Sequence, residues 1–157
     1  MQQAFDDLMA FLEGEGYHVQ VLEPGEAVRI SLSLDHATYR VLFTVCDEVL
    51  AVHAFADLRF PASTLPVLCE FAARVNDGMR IATLDVDLDD RDVSCRATSL
   101  VIDRRVPPRE MEVLLDVAVR GINWCYPGLG AIAFGGASAS EAYARFEELT
   151  GDGEADD

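Results

Sequence analysis

The chain has 157 residues, 50% of them hydrophobic, with 28 acidic against 12 basic side chains and a formal net charge of −16. That length suits one domain able to bury about two thirds of its unfolded surface, so neither metals nor disulfides are needed to complete a core. All the basic residues are Arg and none forms a strong cluster, Arg104, Arg105 and Arg109 being the densest group, which argues against nucleic acid and anionic membrane as partners, since cations meeting phosphates supply most of that affinity.

From the N-terminus, residues 2–13 set Phe5, Leu8, Met9 and Leu12 at helical spacing, and Gly14 and Gly16 end the run. From Tyr17 the period becomes two: Tyr17, Val19 and Val21, then Val28, Ile30, Leu32 and Leu34, then Tyr39, Val41, Phe43 and Val45, then Leu50, Val52, Ala54 and Ala56. Two-residue loops at 24–25, 36–37 and 47–48 would set Val21 against Val28, Leu34 against Tyr39, Ile30 against Phe43 and Val45 against Leu50. All three hairpins then turn their apolar sets to one face, and a slip of one residue would flip every side chain. The pattern predicts a four-stranded antiparallel meander.

A second helix is expected from about Thr64-Leu65-Pro66, with Leu68, Phe71, Ala72 and Val75 as its buried stripe and Asn76-Asp77-Gly78 as its stop. A β-hairpin follows over 80–88 and 92–102, turning around Asp90-Arg91, with Leu84, Val86 and Leu88 opposite Ala97, Cys95 and Val93. Pro107-Pro108 opens a third helix striped by Leu114, Val117, Ala118, Gly121, Ile122 and Cys125, and Tyr126-Pro127-Gly128 is expected to break or kink it. Ser138 and Glu141 form a capping box for a last short helix carrying Ala142, Tyr143, Phe146 and Leu149. The fold class is therefore α+β, a meander plus a hairpin packed with helices, in one domain over 1–149. Residues 150–157 are expected to be an acidic disordered tail.

No apolar run approaches the roughly 20 residues of a membrane span, and the N-terminus lacks the basic region and the small-residue cleavage site of a signal peptide. A cytoplasmic protein is the expectation. Cys46, Cys69, Cys95 and Cys125 show neither CxxC spacing nor a His partner, which leaves free thiols, expected to be buried, and no zinc site.

The order of elements resembles that of the YbjN-like family of small bacterial proteins. Asn76 closing the second helix, the strand pair after it and the Pro-started third helix carry the likeness. Trp124-Cys125-Tyr126-Pro127 and Gly135 with Ser138, Glu141 and Ala142 extend it, over roughly residues 5–149. The resemblance implies a fold similar to type III secretion chaperones and a role of the sensory-transduction regulator kind. It supplies no catalytic residue.

Site-like features are few. Asp85, Asp87 and Asp89 open like a calcium loop, but Asp90 stands where that loop needs Gly and Arg96 where it needs Glu. A solvated strand face, with Asp85 opposite Arg96, is the better reading. His18 and His36 fall on an outer strand position and in a turn. Gly14-Glu15-Gly16 and Gly128-Leu129-Gly130 lack the strand and remaining glycine of a phosphate-binding turn. No motif calls for a catalytic residue, metal or cofactor.

The outer face of the third and fourth strands is more informative. There Leu42 would face His53 and Arg40 would face Phe55, giving an apolar patch of the kind that marks interaction sites unless a helix covers it. The expected function is protein or peptide binding in a chaperone-like, adaptor or regulatory role, without catalysis, through Arg40, Leu42, His53 and Phe55. The acidic charge favours basic partners, and a homodimer is plausible by analogy of fold. The alternative is a small-molecule site in a cleft between the third helix and the sheet, lined by Trp124, Tyr126 and the acids near Asp85.

Overall fold

Alternation of buried and open positions runs through the centre of the chain, and in the computed structural model, which describes residues 1–151, it resolves into one antiparallel sheet. The strands are β1 (Gln20–Glu23), β2 (Ala27–Ser33), β3 (Thr38–Cys46), β4 (Val49–Ala56), β5 (Thr83–Val86) and β6 (Val93–Leu100), in the spatial order β1-β2-β3-β4-β6-β5. The later hairpin thus extends the meander through β6. Four helices complete the fold: α1 (Gln2–Gly14), α2 (Leu65–Gly78), α3 (Pro108–Gly135) and α4 (Ala139–Gly151). None is long and apolar enough to cross a membrane.

The inner face carries the core. Ile30, Tyr39, Val41, Phe43, Val52 and Cys95 are buried there with Leu8 and Leu12 of α1, the expected stripe of α2, and Met111, Ala118 and Ile122 of α3. Each fully buried Leu, Ile or Phe contributes about 1.5–3 kcal/mol. Gly121 lets α3 approach β6, since a Cβ there would stand 2.5 Å from Cys95 Sγ.

The register follows the expectation at the β3–β4 turn, holds at Val21 but shifts by a bulge before Glu23, which pairs with Ala27, at the β1–β2 turn, and departs from it at two others. Val21 pairs with Val28, and Val45 with Leu50 across Asp47 and Glu48, both in the left-handed region that a tight hairpin turn requires. Between β2 and β3 the turn is Asp35-His36, not His36-Ala37. Leu34 N donates to Ala37 O at 3.0 Å, and Ile30 faces Val41, Leu32 faces Tyr39 and Val28 faces Phe43. In the second hairpin Leu84 likewise faces Cys95 and Val86 faces Val93. There Asp87 N donates to Asp92 O at 2.8 Å, and the Asp87 carboxylate accepts from the backbone of Asp89 and Asp90. Both departures are slips of two residues. They keep every side chain on its expected face, which is why alternation alone does not exclude them.

α3 continues through Pro127, contrary to the expected break. An interior proline costs about 3 kcal/mol, but Leu129 and Ile132 beyond it are fully or almost fully buried, and burial of two such side chains offsets that cost. Gly128 seats this stretch, because a Cβ there would meet the Ala142 carbonyl oxygen of α4 at 2.7 Å and the Phe71 ring of α2 at 3.0 Å. α4 begins as expected, with Ser138 N donating to Glu141 Oε2 at 2.8 Å and Glu141 N to Ser138 Oγ at 3.2 Å. It runs through Thr150 to Gly151, past the boundary expected at 149. The remainder of the expected tail, 152–157, lies outside the described residues. Of the four thiols, Cys95 and Cys125 are buried whereas Cys46 and Cys69 are exposed, because the first is on the outer face of β3 and the second lies off the stripe of α2.

Candidate functional site

The helices gather on one side of the sheet: α3 lies along β4 and β6, α1 packs on α3, and α2 reaches β5. Among the described residues no helix covers the other side. Arg40, Leu42, Thr44, His53 and Phe55 are all half-buried there, while the alternate positions of β3 and β4 are sealed.

The four residues expected to form the patch meet. Arg40 lies directly across from Phe55, and Leu42 across from His53. The Arg40 guanidinium carbon sits 4.2 Å from the centroid of the Phe55 ring, in cation–π geometry, while Arg40 Nη2 donates to Asp57 Oδ1 at 3.0 Å. The His53 ring stacks on Phe55, with centroids 6.1 Å apart and planes 20° from parallel.

Sequence reasoning missed the flanks of this patch, because β6 was not expected beside β4 and the register of β2 on β3 was expected two residues away. β6 sets Arg96 across from His53 and Ser94 across from Phe55, and β2 sets Arg29 across from Leu42. Arg96 Nε donates to Asp85 Oδ2 at 2.6 Å. This pair is diagonal, since Asp85 lies across from Ser94. Burial holds the His53 imidazole below its usual pKa, helped by the charge of Arg96 and opposed by Asp85. The arrangement is an apolar stripe framed by two ion pairs. His53, Phe55, Asp85, Asp92 and Ser94 line a shallow cavity of about 460 Å3 on this face. Among the described residues no three His, Cys, Asp or Glu side chains converge to hold a metal ion.

A separate groove of about 780 Å3 opens on the helical side, between α1, the β2–β3 turn and α3. Phe11, Leu32, Leu34, Val119 and Trp124 line it. Trp124 is therefore where the alternative reading put it, but Tyr126 and Asp85 are not. The Tyr126 ring packs edge-on against Tyr39 at 5.8 Å, and Asp85 lies on the opposite face of the sheet. Tyr39 itself is buried and donates to Asn123 Oδ1 at 2.8 Å.

Asn76, quoted above for the family likeness, has a structural role that spacing did not show. Its Nδ2 donates to Leu84 O at 3.0 Å and its Oδ1 accepts from Leu84 N at 2.7 Å. One side chain at the end of α2 thereby satisfies both backbone groups of a residue on the outermost strand, where unpaired groups invite association.

The fold is α+β, with one face of its antiparallel sheet under helices and the other open among the described residues. The chain belongs to the YbjN family, described as putative bacterial sensory transduction regulators, whose model matches residues 4–131. Among solved structures it is similar to the crystal structure of YbjN, a putative transcription regulator from E. coli, with a TM-score of 0.54 and 16% sequence identity over 76% of this chain and 85% of that one. At that identity the likeness concerns the fold. No curated protein matches the chain.

Proposed function

We propose that this chain is a non-catalytic protein- or peptide-binding domain with a regulatory or adaptor role, chaperone-like in manner, and that Arg40, Leu42, His53 and Phe55 form its contact surface. The observation that carries this reading is the open outer face of β3 and β4. The same two strands are sealed on one side and leave Leu42 and Phe55 half-buried among Arg40, Thr44 and His53 on the other, an arrangement that a partner would complete by excluding water. The family's description as a regulator agrees with it. The ion pairs Arg40–Asp57 and Arg96–Asp85 at the margins set orientation more than affinity, because exposed pairs of this kind are worth about 0.2–1 kcal/mol.

The test is affinity capture from lysate with wild type and with the double variant Leu42→Asp, Phe55→Asp, after circular dichroism shows both equally folded. Proteins retained by the wild type and lost by the variant are the expected result. If every captured protein is held equally by both forms, this face is not the contact surface.

A further inference from the structure

We infer that the groove between α1, the β2–β3 turn and α3 is a second docking site, one that takes an apolar peptide segment flanked by Lys or Arg. Three observations on the groove converge. Part of its lining is apolar, from Phe11, Leu32, Leu34, Val119 and Trp124, with Leu34 39% and Trp124 37% exposed although both are large hydrophobic side chains.

The second observation is a polar group without a partner. Asn123 lines the groove and is only 8% exposed. Its Oδ1 accepts from Tyr39, while its Nδ2 makes no hydrogen bond among the described residues. No fully enclosed side-chain nitrogen or oxygen lacks a partner among those residues, so Nδ2 keeps some accessible surface, and the opening beside it is the groove. A backbone carbonyl of a bound segment is the acceptor this donor fits.

The third observation is charge. Glu15, Asp35, Glu112 and Asp116 stand around the groove against Arg109 and Arg120. Both cations are already engaged: Arg109 Nη1 donates to Glu112 Oε2 at 2.9 Å and Arg120 Nε to Asp116 Oδ1 at 2.7 Å. Glu15 and Asp35 form no ion pair among the described residues. The rim is therefore net negative on a chain of net charge −16. A second copy of the chain would bring the same charge, and an anionic ligand would be repelled, whereas Lys or Arg on either side of an apolar core would meet Glu15 and Asp35.

Trp124 is the single tryptophan of the chain, so its fluorescence reports on this groove alone. The experiment titrates the intact protein with Trp-free peptides sharing a set of Leu, Val and Phe cores, each made with Lys, Ser or Glu flanks. The expected result is a saturable shift of Trp124 emission with Lys-flanked peptides, weaker with Ser flanks and absent with Glu flanks. The exposed double variant Glu15→Lys, Asp35→Lys should bind the Lys-flanked peptides roughly tenfold more weakly. The Leu42→Asp, Phe55→Asp protein should bind them unchanged, which separates this site from the sheet face. The inference is overturned by no emission change with any peptide, by equal response to Glu flanks, or by loss of binding in the Leu42→Asp, Phe55→Asp protein. An emission shift that follows protein concentration without peptide would assign the groove to self-association and overturn it as well.

Discussion

Leu42 and Phe43 are consecutive in β3, yet they belong to different regions of the molecule. Phe43 is fully buried between the sheet and the helices, and Leu42 is half-buried on a face that no helix covers among the described residues. On the inner side, selection of a residue comes down to volume, because the space is closed. On the outer side the residues hold one another instead: Arg40 lies over Phe55, His53 stacks on it, and Arg96 reaches Asp85. One face makes the fold, and the other is ordered by contacts among its own side chains without being part of the core.

The sharpest way to break this contrast is to truncate the two neighbours separately. Phe43→Ala should cost about 3–5 kcal/mol through the lost burial and the cavity left behind, and Leu42→Ala no more than about 1 kcal/mol. Urea titrations followed by far-ultraviolet circular dichroism give both values. Equal costs would mean that the outer face is core after all.

A smaller effect is expected where the two regions meet the sheet edge. Asn76→Ala leaves the N–H and C=O of Leu84 without their side-chain partner, at about 1–3 kcal/mol if they stay away from water. Amide hydrogen exchange should show the loss concentrated in β5. Uniform loss across the sheet would point to a general role for Asn76 rather than protection of the edge.

The smallest expected effect belongs to His53. Its folded pKa is lowered below 6.5, so between the two values the unfolded chain binds more protons than the folded one. Stability therefore rises with pH through that window and falls as the pH drops through it. His53→Gln should flatten this part of the stability–pH curve between about pH 5 and 7. An unchanged slope in the variant would assign the acid sensitivity to other groups.

Much of this architecture was legible before the fold was seen. The stripe Leu68, Phe71, Ala72 and Val75, the capping box of Ser138 and Glu141, and the meeting of Arg40, Leu42, His53 and Phe55 all rest on local periodicity or on pairs joined by short turns. The Asp35-His36 turn, the passage of α3 through Pro127 and the diagonal register of Asp85 with Arg96 were not legible. Each depends on energies contributed by residues far away in the chain. For Pro127, the buried Leu129 and Ile132 and the seat of Gly128 on Ala142 and Phe71 decide the matter.

The sequence by itself determined which side of each strand faces inward and where the helices begin, because a period of two and a period of 3.6 are carried by near neighbours. Tertiary structure decided the β2–β3 and β5–β6 registers, since pairings that differ by two residues bury the same side chains and are indistinguishable by alternation. It also decided that β6 joins β4, which frames the outer face with Arg96, and that α1, α3 and the β2–β3 turn leave a groove around Trp124. Contacts between segments far apart in sequence depend on which surfaces fit together in three dimensions, and no local pattern records that fit.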